Sequence, residues 1–234
     1  LDLALSAGAD PNTITTCPLL AAGGRDMTMD SQVGGAGVNP GVWINKTGHR
    51  FAAESVAENL GDIGTYYGKQ PGGIVWAILS QADVDRLVSE GSEIAIGEFV
   101  VYHKPMTGLL PELEAHLESG LVKKADTFED LAEQMGVPTD EFVETMTAYN
   151  EACEKGVDEA YFKKPQYLRA LAEPPFYGIP LATGTMGSAG GIKVNGDMQV
   201  ITSDGDAIPG LYAVGLDATG LYGDSYNMEI PGCA

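Results

Sequence analysis

The spacing of apolar and polar positions changes several times along the chain. Leu1, Leu3, Ala4 and Leu5, followed by Gly8, read as the closing turns of an amphipathic helix with a glycine stop. Residues 21–41 are rich in Gly, Asp, Ser and Asn and predict a loop. VWINKTGHRF (42–51) predicts a hairpin: a strand over Val42–Ile44, a turn over 45–48 and a return over His49–Phe51. GGIVWAILS (72–80) is a continuous apolar run of strand length, which predicts a buried strand. SQADVDRLVSEG then predicts a helix capped by Ser80 and closed by Gly91.

From residue 107 to 156 the period is helical. Thr127 and Asp130 form a capping-box pattern that opens a helix with Phe128, Leu131, Ala132 and Met135 inward, and Gly136 ends it. Thr139 is expected to cap the next helix. Phe142, Met146, Tyr149 and Cys153 then repeat at helical intervals, a stripe read as core packing. After Pro174–Pro175 the pattern turns to strands. GGIKVNGDMQVI predicts two short strands around Asn195–Gly196, and IPGLYAVG a buried strand ending in glycine. Strand-and-loop frameworks at both ends bracket a mixed middle, which is the pattern of one domain inserted in another.

Composition narrows the function. Thirteen basic residues against 33 acidic ones give a net charge of -20, which argues against nucleic-acid partners, since those need clustered Lys and Arg. No apolar run approaches the roughly 20 residues that span a bilayer. The opening LDLALSAGADP has neither the basic region nor the cleavage pattern of a secretory signal, so a soluble protein is expected, cytoplasmic or exported. Cys17, Cys153 and Cys233 are far apart, with no Cys/His cluster, so neither a zinc site nor a disulfide framework is expected.

Four stretches occur in a telling order: VWINKTGHRFAAES, TFEDLAEQMGVPTDEFVETMTAYNEACEKG, PPFYGIPLATGTMGSAGGIKVNGDMQVI and IPGLYAVGLDATG. Together they resemble the flavoprotein subunit family of fumarate reductases and succinate dehydrogenases, which includes 3-ketosteroid dehydrogenases. The resemblance implies an α+β fold, with a capping (substrate) domain over 40–176 inserted in an incomplete FAD-binding α/β domain. Residues 1–39 and 177–234 would be the FAD-domain pieces before and after the cap. The family's pyrophosphate turn, GxGxxG, is missing; GGAGVN at 34–39 lacks the third glycine. The chain is therefore expected to be an internal piece of a longer FAD enzyme. Alone it should fold without flavin and be inactive.

The resemblance also assigns site residues. Glu58 falls where the fumarate reductases carry their proton-donating Arg, Thr183 and Gly184 where they have a histidine pair, and Tyr226 where they have a substrate-binding Arg. GDSYNMEIPG is closer to the ketosteroid dehydrogenases, which makes Tyr226 an electrophilic donor to a ketone oxygen and Gly232 its main-chain partner. Tyr66 and Tyr67, expected on a Gly-rich loop of the cap, would accept a proton, and Glu58 would be a base. Thr185, Met186, Gly187 and Gly215 match flavin contacts, although Leu216 replaces the usual Glu. The implied activity is reduction or oxidation of a carbon–carbon bond conjugated to a carbonyl, by hydride exchange with FAD. The implied partners are a small-molecule substrate and an electron donor or acceptor. The alternatives are a dicarboxylate oxidoreductase and a substrate-binding cap without turnover.

Overall fold

In the computed structural model the described residues are 2–11, 17–95, 101–189 and 191–219. The chain is a mixture of helices and sheets in two units, one of residues 1–21 and 185–234, the other of residues 22–184.

The larger unit is organised by a sheet. Its strands run in the order β1 (Cys17–Gly24), β5 (Phe176–Ala189), β3 (Val75–Ser80), β2 (Val42–Asn45), with β4 (Lys123–Ala125) also on β5; of β1 and β5, residues 22–24 and 176–184 belong to this unit. β3 is antiparallel to both neighbours, with Trp76 opposite Ile44 and Pro180. All six residues of β3 are buried, as its unbroken apolar run predicts, because helices cover both faces of the sheet. Alternation divides them: Val75, Ala77 and Leu79 point into one core with Trp43, Ile179 and Leu181, while Trp76 and Ile78 point into the other with Val42, Ile44 and Phe176.

The first core is closed by α2 (Gln32–Val38), α3 (Leu60–Gly68), α4 (Gln81–Glu90) and α5 (Leu109–Glu118); the second by α6 (Phe128–Met135) and α7 (Thr139–Lys155). α4 has the expected ends. Ser80 and Asp83 exchange hydrogen bonds in a full capping box, and Gly91 follows at φ 88°. In α6 the Thr127 hydroxyl accepts the Asp130 N–H at 3.1 Å, and Gly136 closes the helix at φ 69°. Phe142, Met146 and Tyr149 are buried along α7, with Cys153 half-buried beside them.

Four expectations need correction in this unit. The stretch read as loop contains part of β1 and all of α2. Glycine is a poor helix former, but here it lets a helix lie on the sheet: a Cβ on Gly37 would come within 2.8 Å of Leu181 and 3.2 Å of Ile179. The hairpin at 42–51 has no return strand. Gly48 N–H closes a turn on Asn45, and β2 takes β3 as its partner. The N-cap of α7 is Pro138, and Thr139 is already helical. Tyr66 and Tyr67 lie on α3 rather than on a loop, since the glycines at 61, 64 and 68 do not interrupt it.

The smaller unit holds α1 (Asp2–Ser6), β6 (Ile192–Lys193) parallel to β9 (Ala218–Thr219), and β7 (Gln199–Ile201) antiparallel to β8 (Ala207–Tyr212). Gly8 follows α1 at φ 96°. A small core gathers Ala4, Ala9, Val200, Ala213 and Ala218. At Asn195–Gly196 the expected turn is closed by a single Val194–Val200 bridge, but the hairpin's strands do not pair with each other: β6 takes β9 and β7 takes β8. β8 is mostly exposed, contrary to the buried strand expected from IPGLYAVG; its described partner is β7 alone, which covers one edge and neither face.

Candidate active site

The site residues of the larger unit depend on a 3-10 turn, Glu54–Glu58, that follows β2 and leads into α3. The turn is held from beneath by four buried charges. Arg50 donates to Glu54 from Nε at 2.8 Å and from Nη2 at 2.6 Å, and to Asp158 from Nη2 at 2.9 Å. Lys163 Nζ lies 3.5 Å from Glu54 and donates to the Gly41 carbonyl and to the Tyr149 hydroxyl. The Arg50 guanidinium also faces the rings of Tyr149 and Tyr161 at 4.9 and 5.0 Å. Burial works against ionisation of both Arg50 and Asp158, but the bonds from Arg50 to Glu54 and Asp158 prevail: the arginine is raised, chiefly by Glu54, and the Asp158 carboxyl is lowered by Arg50. Lys163 is pulled down by burial, against the attraction of Glu54. Nothing in the sequence spacing announced this cluster, because Asp158 lies 108 residues from Arg50.

Glu58, at the far end of the same turn, is exposed. Lys164 Nζ and the Tyr167 hydroxyl both donate to its carboxylate, the tyrosine at 2.7 Å. The Lys164 and Tyr167 bonds hold the Glu58 carboxyl below its ordinary value. Next on the chain, α3 places its two tyrosines differently. The Tyr66 ring is 39% exposed, while Tyr67 is fully buried against Trp43 and Phe51. The Tyr67 hydroxyl has no hydrogen-bond partner among the described residues, and burial pushes it well above the usual phenol range.

Two places bear on flavin binding. An FAD pyrophosphate needs free N–H groups at a helix start. The glycine-rich α2 does not offer them, because the Glu112 carboxylate already accepts from Gln32 N at 2.8 Å, Val33 N at 3.4 Å and the Ser31 hydroxyl. The family resemblance implies that the flavin's ring side lies at the end of β5. Thr183 Oγ1 is shielded and without a partner among the described residues, and a Cβ on Gly184 would meet nothing within 4 Å. Thr185, Met186 and Gly187 continue that strand, and Gly215 opens a 3-10 turn at φ 61°. Tyr226 and Gly232 lie outside the described residues.

Comparison with known proteins agrees with the sequence resemblance. Residues 1–229 match the family described as FAD binding domain. A vinyl phenol reductase of Lactiplantibacillus plantarum is 35% identical over 84% of this chain and 40% of its own length. An NADH:acrylate oxidoreductase of Vibrio harveyi is 28% identical over 77% of this chain and 16% of its own. Among solved structures, the 3-ketosteroid delta1-dehydrogenase of Sterolibacterium denitrificans, in complex with 1,4-androstadiene-3,17-dione, superposes with a TM-score of 0.68 at 20% identity. The superposition covers 95% of this chain and 41% of that one, a likeness of fold. The chain thus spans about two-fifths or less of the length of the proteins it matches.

Proposed function

The chain belongs to the FAD binding domain family of oxidoreductases, and on that premise we propose that it is part of an enzyme that reduces or oxidises a carbon–carbon bond conjugated to a carbonyl. Residues 40–176 would be its capping domain and the flanking segments incomplete parts of its FAD domain. Bound FAD supplies the hydride exchange, and Thr185, Met186, Gly187 and Gly215 would line its ring side.

One observation carries the substrate class. A dicarboxylate site needs several free cations, and bidentate Arg suits it best. The chain has four arginines, at 25, 50, 86 and 169. Three are committed to carboxylates: Arg50 to Glu54 and Asp158, Arg86 and Arg169 to Glu93. By the family resemblance Glu58 would take the fumarate reductases' proton-donor position, and a carboxyl held below its ordinary value there would repel a dicarboxylate.

Tyr226 is the proposed donor to the substrate's carbonyl oxygen, with the Gly232 N–H beside it. A phenol aimed there strengthens its bond as negative charge develops on that oxygen, without needing a charged substrate. Tyr66, whose ring reaches the surface, suits proton exchange with the substrate carbon better than the sealed Tyr67. The bonds from Lys164 and Tyr167 occupy Glu58, which suits it to hold charge near the substrate.

The test is reoxidation of the reduced, complete enzyme by acrylate, cyclohex-2-enone and fumarate. Acrylate or the enone should reoxidise it and fumarate should not. Robust fumarate-dependent turnover would overturn the reading.

A further inference from the structure

A cavity of about 460 Å³ lies between the outer face of α7 and residues 157–161, and none of the candidate site residues lines it. Its two walls are built locally. Gly156 closes α7 at φ 71°, and the chain that follows supplies the second wall. That wall is pinned. The Asp158 carboxylate accepts from Ala160 N and Tyr161 N, both at 3.2 Å, and the Tyr161 hydroxyl donates to the Arg50 carbonyl at 2.7 Å. A cleft fixed in this way is formed before any ligand arrives.

Its lining carries an unused donor. Arg50 borders the cavity although its side chain is only 5% exposed. Nε and Nη2 are taken by Glu54 and Asp158, whereas Nη1 has no partner among the described residues and is not sealed from solvent. Arg50 and Lys163 balance Glu54 and Asp158, so Nη1 offers a directed hydrogen bond rather than an unpaired charge. Above it, Ala148 and Ala152 stand one turn apart on α7 and, with Val157 of the second wall, give the cavity an apolar strip. The rim is acidic. Glu144, Glu151 and Glu159 have no partner among the described residues, and they outnumber Lys155, while His49 bonds Thr145 at one end.

We propose that this cavity binds a small organic amine: a primary ammonium at the acidic rim, an alkyl spacer along the alanines, and a neutral carbonyl that accepts from Arg50 Nη1. The rim carboxylates favour the cation and disfavour an anion. The buried donor fixes the other end, since a hydrogen bond from a charged group is worth more than one between neutral groups. This site is independent of the proposed function.

The experiment titrates 6-aminohexanamide into the complete flavin-loaded enzyme at neutral pH, followed by ligand-observed NMR. Hexylamine lacks the carbonyl, hexanamide lacks the cation, and 6-aminohexanoate replaces the amide with an anion. The amino amide should bind with Kd on the order of 1 mM, as expected for so few atoms. Hexylamine should bind about tenfold more weakly, having lost the bond to Arg50. Hexanamide should bind about fivefold more weakly, and 6-aminohexanoate no more tightly than the amide. Ala148→Phe fills the strip from an exposed position and should abolish binding. Glu144→Gln with Glu151→Gln should weaken the amino amide about fivefold and leave hexanamide unchanged. No binding by the wild type, equal binding of hexylamine or hexanamide, tighter binding of the carboxylate, or binding that survives Ala148→Phe overturns the proposal. If Ala148→Phe does not fold, the double glutamine variant decides: an unchanged Kd for the amino amide also overturns it.

Discussion

Arg50 is 6% exposed between Glu54 and Asp158, beside two tyrosine rings, while among the described residues the Arg25 guanidinium meets main-chain carbonyls, those of Gly73 and Leu181. The first has every requirement of a buried charge met: countercharge, hydrogen bonds and aromatic faces. The second has no countercharge among the described residues. Family resemblance treats arginines in this enzyme class as candidate substrate clamps, but burial and countercharge mark Arg50 as a structural one.

The strongest challenge to that contrast is to cut the buried cluster. Arg50→Met leaves Asp158 without its arginine and Glu54 with Lys163 alone, and breaking a buried pair from one side costs about 3–5 kcal/mol. It should unfold the larger unit or leave it barely stable, as chemical denaturation would show. A loss under about 1 kcal/mol would mean that the cluster is not what holds the Glu54–Glu58 turn.

Next is Tyr226→Phe in the complete enzyme, which removes one hydroxyl. Turnover should fall on the order of 100-fold or more while flavin content and melting temperature stay near those of the wild type. Full activity, or loss of fold, would make Tyr226 structural.

The smallest effect concerns Glu58. Its contact with Lys164 is exposed, and such pairs contribute about 0–1 kcal/mol, so Glu58→Gln should barely move the melting temperature. The pH dependence sharpens this. Glu58 and Asp158 both have folded pKa values lowered, from ordinary values of 4.5 and 3.8. Their contribution is therefore complete above the ordinary carboxylate range and fades as pH falls through the lowered folded values. Acid titration of Glu58→Gln should follow that of the wild type closely, whereas Asp158→Asn should already be weakened at neutral pH. The reverse order would undo the contrast between buried and exposed pairs.

Much of the fold could be read where one physical signal acted alone. β3 is an unbroken apolar run, and α4 and α6 carry side-chain caps and glycine stops, so period and capping settle them. α2 could not be read, because a helix of glycines is stabilised by its closeness to Leu181 and Ile179, which are distant in sequence. For the same reason β2 pairs with β3 rather than with its own neighbour, as long-range pairing outweighed a local turn signal. The candidate site residues came only as residue types implied by the family resemblance. The role of each side chain was not legible, because Tyr66 and Tyr67 are adjacent in sequence and opposite in burial. Arg25 gave no signal of its own; what marks it is the commitment of the other three arginines.

The most direct measurement is a paired thermal melt of Arg50→Gln and Arg25→Gln in the same complete enzyme, without substrate. The account predicts that the apparent melting temperature falls by about 10 °C in Arg50→Gln and stays within about 2 °C of the wild type in Arg25→Gln. A fall in Arg25→Gln as large as that in Arg50→Gln would contradict it, because Arg25 would then hold the fold as Arg50 does.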